Sequence, residues 1–132
     1  MAKLRHIALS VPDIEAAAKF YIDTFGMQRV NLAITPYGDG LSLSDGTVNL
    51  TLLKFHTEDA AGDERGKDFV GLHHMGFVVD DLEASSAQIE TNGGHFHREL
   101  KGGGGVDFER KFRDPNGIVF DISHKGWVGS KE

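Results

Sequence analysis

Residues Arg5–Gly26, RHIALSVPDIEAAAKFYIDTFG, and residues His73–Gly94, HHMGFVVDDLEASSAQIETNGG, are two copies of one pattern. Adding 68 to each residue number aligns them without gaps, and His6/His74, Val11/Val79, Asp13/Asp81, Glu15/Glu83, Ala16/Ala84 and Gly26/Gly94 are identical. Leu9/Phe77 and Ile14/Leu82 are conservative pairs between them. A repeat of this kind means one supersecondary unit used twice, and it fixes the fold before any residue is considered alone. It also brings two imidazoles, His6 and His74, to equivalent places in two half-domains that can close around one cavity.

Within the first copy, His6 to Val11 is a short apolar run suited to a strand, ended by Pro12. Asp13 stands at a helix N-cap, and Ile14, Ala17, Ala18, Tyr21, Ile22 and Phe25 follow at helical spacing, with Gly26 placed to end the stripe. Strand-like stretches follow near Met27–Leu32, Gly40–Ser44 and Thr47–Phe55, with Asp45-Gly46 as a hairpin turn between the last two. The second copy repeats the order. His74–Val79 reads as a strand, Asp81 caps a helix to about Thr91, and strands follow near His95–Leu100, Asp107–Arg113 and Ile118–Ser123, the last pair joined at Asn116-Gly117. Each half is therefore βαβββ and the class is α+β. The expected organisation is one domain over residues 1–132, with module one at 1–56, an exposed linker at 57–72 and module two at 73–124. Gly102–Gly105 reads either as a flexible hairpin loop or as a flap over a ligand site.

The 132-residue length suits a single domain, and the net charge of −6 without a basic cluster argues against a nucleic-acid partner. Cysteine is absent, which excludes disulfides, thiolate nucleophiles and thiolate metal sites. No stretch reads as a signal peptide or membrane span, so a cytoplasmic location with no membrane partner is expected.

Side chains alternate along a strand, so His6 shares a face with Ala8 and Ser10, and His74 with Gly76 and Val78. Small neighbours leave room there for a ligand. Asp121 stands between Phe120 and Ile122, where an unpaired carboxylate is very costly; it must be metal-bound, protonated, or paired, with Arg110 or Arg113 as the cations in view. Asn49 and Thr51 share the polar face of their strand. Two histidines and one carboxylate form a set that holds a divalent metal with open positions. His73, one step out of register, reads as pointing to the opposite face. His95 and His97 read as surface residues, Tyr21 as core, and Trp127 as closing the cavity or joining a subunit contact. Arg110, in FERKF, alternates with Phe108 and Phe112 and is a candidate for binding a substrate anion or neutralising Asp121.

HIALSVPDIEAAAKFYIDTFGM, GLHHMGFVVDDLEA and FRDPNGIVFDI together resemble the vicinal oxygen chelate superfamily, which includes glyoxalase I, methylmalonyl-CoA epimerase, extradiol dioxygenases, and fosfomycin and bleomycin resistance proteins. The resemblance runs from His6 to about His124. It implies paired βαβββ modules in an incomplete, U-shaped barrel around one divalent ion (iron, manganese, nickel, zinc or cobalt), a small-molecule substrate and a homodimer. Carried over, it makes His6, His74 and Asp121 the metal ligands, Asp121 also catalytic, Asn49 a fourth ligand or substrate contact, and Thr51 and Arg110 substrate-binding. Asp121 departs by being one methylene shorter than the family's usual glutamate. Asn49 departs because an amide cannot act as a base. The implied function is a metal-dependent lyase, isomerase or dioxygenase acting on a small, vicinally oxygenated molecule. The alternatives are a non-catalytic protein that sequesters a ligand, as in bleomycin resistance, and a remnant in which both histidines are relics.

Overall fold

In the computed structural model, which describes residues 1–62, 65–101 and 108–132, both repeat copies fold as the pattern dictates. Strand β1 (Lys3–Ser10) leads into helix α1 (Ile14–Phe25) and strands β2 (Gln28–Ile34), β3 (Gly38–Ser44) and β4 (Asn49–Phe55). A short helix α2 (Glu58–Ala61) follows, and then β5 (Gly71–Val78), α3 (Leu82–Thr91), β6 (His95–Lys101), β7 (Phe108–Arg113) and β8 (Val119–Ser123) complete the second module. The Gly102–Gly105 stretch lies outside the described residues.

The two long helices start for the same reason. Asp13 accepts from the Ala16 N–H and Asp81 from the Ala84 N–H, each at 3.0 Å, satisfying one of the free amides of the first turn. Gly26 ends α1 in the left-handed conformation, φ 70°, its N–H donating to Ile22 O. The linker holds more structure than its composition suggests: Thr57 caps α2, and Ala61 at its end is buried.

Among the described residues, eight strands form one sheet in the order β2-β3-β4-β1-β5-β8-β7-β6. Inside each module the first and last strands run parallel (β1 with β4, β5 with β8), while β1 and β5 join the modules antiparallel within a single chain. The result is the open, U-shaped α+β barrel that the family resemblance implied. Its outer face carries two cores. Ile14 and Ala18 of α1 pack on Leu41, Leu43, Leu50 and Leu52, with Tyr21 and Ile22 against them. Phe112, Phe120, Ile122 and Val79 form the second core beneath α3. Leu41, Leu43 and Leu52 are fully buried, each contributing about 2 kcal/mol of apolar burial. Phe25, the last member of the α1 stripe, is exposed.

Strand alternation then turns the remaining residues inward. Two successive pairings place Asn49 opposite His6, and His6 opposite Gly76. Two more continue the row to Asp121 and Lys111. One row of backbone-aligned positions therefore crosses five strands at the centre of the concave face.

Candidate metal centre

The concave face holds a cavity of about 310 Å³ lined by His6, His74, Asn49, Thr51, Glu109 and Lys111, with Trp127 at one side. His6, His74, Asn49 and Asp121 are all buried. Each is brought there by strand alternation, which is why the sequence pattern found them.

The hydrogen-bond network assigns the protons. Asn49 Nδ2 donates to Val128 O at 2.8 Å, which orients the amide so that Oδ1 faces the site. Asn49 Oδ1 accepts from Thr51 Oγ1 at 2.7 Å and lies 2.8 Å from His6 Nδ1, so His6 carries its proton on Nδ1 and donates it there. On the other side, His73 Nε2 donates to Ala61 O at 2.6 Å. A neutral His73 ring then accepts at Nδ1, and His74 Nδ1, 2.9 Å away, must be the donor. Both candidate ligands are thereby left with a bare Nε2.

These two bare nitrogens face each other at 3.2 Å, and His74 Nε2 lies 3.1 Å from Asp121 Oδ2. Asp121 Oδ2 is buried and has no hydrogen-bond partner. Neither ring gains a proton to relieve this. Burial, followed by the neighbouring His74, lowers His6 to about 4, and burial followed by the Lys111 charge holds His74 well below its ordinary value. Three lone pairs thus converge with no proton between them, an arrangement that is repulsive unless a cation joins them. Nitrogen ligands ~2.1 Å from one ion sit roughly 3.0–3.4 Å apart at octahedral to tetrahedral angles, which brackets the imidazole spacing. Glu109 adds a fourth donor: one ligand atom from each of His6, His74, Glu109 and Asp121 lies within 4.8 Å of every other. The donor set fits a divalent ion.

The remaining candidates sit in distinct surroundings. Asn49 Oδ1 has both lone pairs occupied by His6 and Thr51, so Asn49 orients His6, and the fourth converging donor is Glu109. Thr51 lines the cavity but is tied to Asn49 Oδ1 and to Ser42 Oγ at 2.9 Å. Arg110 lies on the helix side of β7, bonded to Ser86 Oγ at 2.8 Å and to Glu83 of α3. The cation on Asp121 is instead Lys111, whose Nζ is 2.8 Å from Oδ1. The same alternation that put Arg110 with Phe112 put Glu109 and Lys111 on the opposite face, so the signal was present in FERKF.

His73 was missed for a different reason. The β1–β5 pairing slips at two places, leaving Arg5 unmatched before His6 and His73 unmatched before His74, which are equivalent positions of the repeat. A bulge breaks the two-residue alternation and re-aims a side chain, here bringing the His73 ring to the edge of the cavity. A similar slip between Phe96 and Arg98 accompanies the placement of His97 in the cavity wall, whereas His95 is exposed.

Trp127 is buried and stacks on His6, with ring centroids 4.6 Å apart and planes within 8°, and its Nε1 donates to Glu109 Oε1 at 3.3 Å. Gly76 makes the space: a Cβ there would stand 2.6 Å from Trp127 Cη2 and 3.0 Å from His6 Cβ. Glu109 is pushed up to about 7, by burial first and then by Asp121.

Residues 3–122 match the family model described as Glyoxalase/Bleomycin resistance protein/Dioxygenase superfamily. Trp127 and Val128, which pack against His6 and orient Asn49, lie beyond that match. The chain is 29% identical over 133 residues to a probable lactoylglutathione lyase of Vibrio parahaemolyticus, covering 91% of this chain and 88% of the relative. It is 26% identical over 123 residues to the lactoylglutathione lyase of Schizosaccharomyces pombe, covering 76% of this chain but spanning only 40% of that protein. A solved methylmalonyl-CoA epimerase in complex with methylmalonyl-CoA and NH4+ superposes with a TM-score of 0.76 at 22% identity, covering 92% of this chain and 93% of that one, a likeness of fold. With the family match spanning nearly the whole of both modules, the chain belongs to the Glyoxalase/Bleomycin resistance protein/Dioxygenase superfamily.

Proposed function

We propose that this protein is a divalent-metal-dependent enzyme of the glyoxalase type, a lyase or isomerase acting on a small substrate with two neighbouring oxygens. His6 Nε2, His74 Nε2 and Asp121 Oδ2 would hold the ion, with Glu109 beside them. The observation that carries this reading is the convergence of unprotonated lone pairs, each kept bare by a specific partner: Asn49 behind His6 and His73 behind His74. Such partners fix the tautomer and ring orientation of metal-binding histidines. A bound divalent ion would supply Lewis acidity to the substrate's oxygens.

The chain's own contribution would be orientation and proton handling. Asp121 Oδ1 is bonded to Lys111 and Oδ2 would be taken by the ion, so we assign the catalytic role to Glu109 rather than Asp121. Glu109 lines the cavity, is held by Trp127 through Oε1, and is raised to about 7. A carboxyl with that value near neutral pH can both take and return a proton. Trp127 and Ala61 wall the same space. A protein that only sequesters a ligand has no need of three bare donors aimed at one point, which favours the enzyme reading.

Metal analysis of untagged protein purified without chelator, beside the His6→Ala/His74→Ala variant, tests this. We expect about one divalent ion per chain, lost in the double variant. No bound ion, together with no thermal stabilisation on adding iron, manganese, nickel, zinc or cobalt, would refute it.

A further inference from the structure

Lys111 is an unexpected neighbour for a metal-binding carboxylate. Its place is fixed by the backbone, since it pairs across β7–β8 with Asp121. Its Nζ lies 2.8 Å from Asp121 Oδ1, its side chain is only 13% exposed, and it lines the same 310 Å³ cavity as His6, His74 and Glu109. An ammonium carries three N–H donors and accepts nothing. Asp121 Oδ1 accepts one of them.

The charges then decide what the cavity takes. A divalent ion and the Lys111 ammonium would share Asp121, so three positive charges would stand beside two carboxylates, Asp121 and Glu109, even with both ionised. Positive charge that the two carboxylates do not offset is costly in a partly buried site, and an anion arriving with the substrate would relieve it. Arg98 adds a second cation to the cavity wall. At about 310 Å³ the cavity stands at the small end of ligand sites, which suits a molecule of a few carbons.

We infer that the substrate is a small monoanionic acid bearing an oxygen next to its carboxylate, a 2-oxo or 2-hydroxy acid, with the carboxylate held by the Lys111 ammonium. This rests on the metal-dependent reading above and names the substrate class within it. Asp121 holds the ammonium in place before the ligand arrives, so little ordering cost falls on binding. Lys111 acts as a specificity-determining residue: it selects charge without entering the proton chemistry.

The test uses the full chain loaded with cobalt(II), whose visible spectrum reports metal occupancy independently of turnover. The probes are pyruvate and butane-2,3-dione, which present the same neighbouring oxygens with and without a negative charge. Pyruvate is expected to bind at least ~10-fold more tightly, because a hydrogen bond to a charged partner contributes that much. Lys111→Met should bring the two affinities within about 3-fold of each other, read as their ratio in the same cobalt-loaded variant, and Lys111→Arg should restore the preference. Equal affinities in the unaltered protein, or a pyruvate preference that survives in Lys111→Met, would overturn the inference. Should cobalt not bind at all, the metal reading falls by itself. Pyruvate against dione, titrated into the metal-free protein by NMR, then decides the anion claim by the same ratio.

Discussion

Substituting Gly76 by alanine tests whether the site is built around a missing side chain. Gly76 lies between His6 and Asp121 in the row of paired positions, and the only tryptophan of the chain fills the space above it. A Cβ would approach Trp127 Cη2 and Cζ2 to 2.6 and 2.7 Å and His6 Cβ to 3.0 Å, about 1 Å inside normal carbon contact for the ring. The ring is rigid, so it must move as a whole. Overpacking of this kind costs about 1–3 kcal/mol. Moving the ring also gives up its stack on His6 and its Nε1 bond to Glu109, each worth about 1 kcal/mol. We expect Gly76→Ala to lose about 3–5 kcal/mol, lowering Tm by roughly 11–18 °C for a domain of this size. Trp127 emission should shift to the red as the ring leaves its buried place, read in one tryptophan without interference. The decisive measurement is the cycle with Trp127→Ala: once the ring is gone, the alanine at 76 should cost less than about 1 kcal/mol, giving strong non-additivity. Additive losses, or an unchanged Tm and emission in the single variant, would refute the close-approach argument.

His73→Phe removes the acceptor that holds the His74 proton on Nδ1. Metal affinity should fall about 10–100-fold, with the fold kept, and nitrogen NMR shifts of His74 should show a changed tautomer; unchanged affinity would mean the bulged histidine does not orient its neighbour. The metal-free protein should have opposing pH dependences. His6, with a folded value of about 4, and His74, also lowered, contribute stability that is present above the unfolded 6.5 and lost as pH falls toward 4. Glu109, raised to about 7, contributes stability that is present below its ordinary 4.5 and lost as pH rises through 7. In Glu109→Gln the loss of stability on acidification from pH 6.5 to 4.5 should steepen by up to about 1.4 kcal/mol per pH unit, read by urea unfolding in the presence of chelator; an identical slope would contradict the placement of Glu109. Arg110→Met should lower thermal stability through its lost bonds to α3 while leaving cobalt and pyruvate binding unchanged by titration, and weaker ligand binding would place Arg110 back in the site.

The sequence by itself determined a good deal. The 68-residue repeat gave the number and order of elements, the two Asp caps set the helix starts, and strict alternation put His6, His74, Asn49, Thr51 and Asp121 on one face. Those features are local, set by the two-residue period of a strand and the 3.6-residue period of a helix, and local rules can be read in one dimension. Tertiary structure decided the rest. Two symmetric bulges turned His73 into the site, and bulges arise from how β1 and β5 pair, which no single strand encodes. Lys111 and Glu109 were on the right face of FERKF, but only the β7–β8 register gave Asp121 to Lys111 and left Arg110 to α3. Trp127 and the Val128 carbonyl reach His6 and Asn49 from a tail more than 70 residues away in sequence. Its seat exists only because Gly76 stands opposite His6 across a strand junction. Which atoms meet across strands is a matter of register and three-dimensional closure, and that is where the facing imidazole nitrogens, their partners and the Lys111–Asp121 contact were settled.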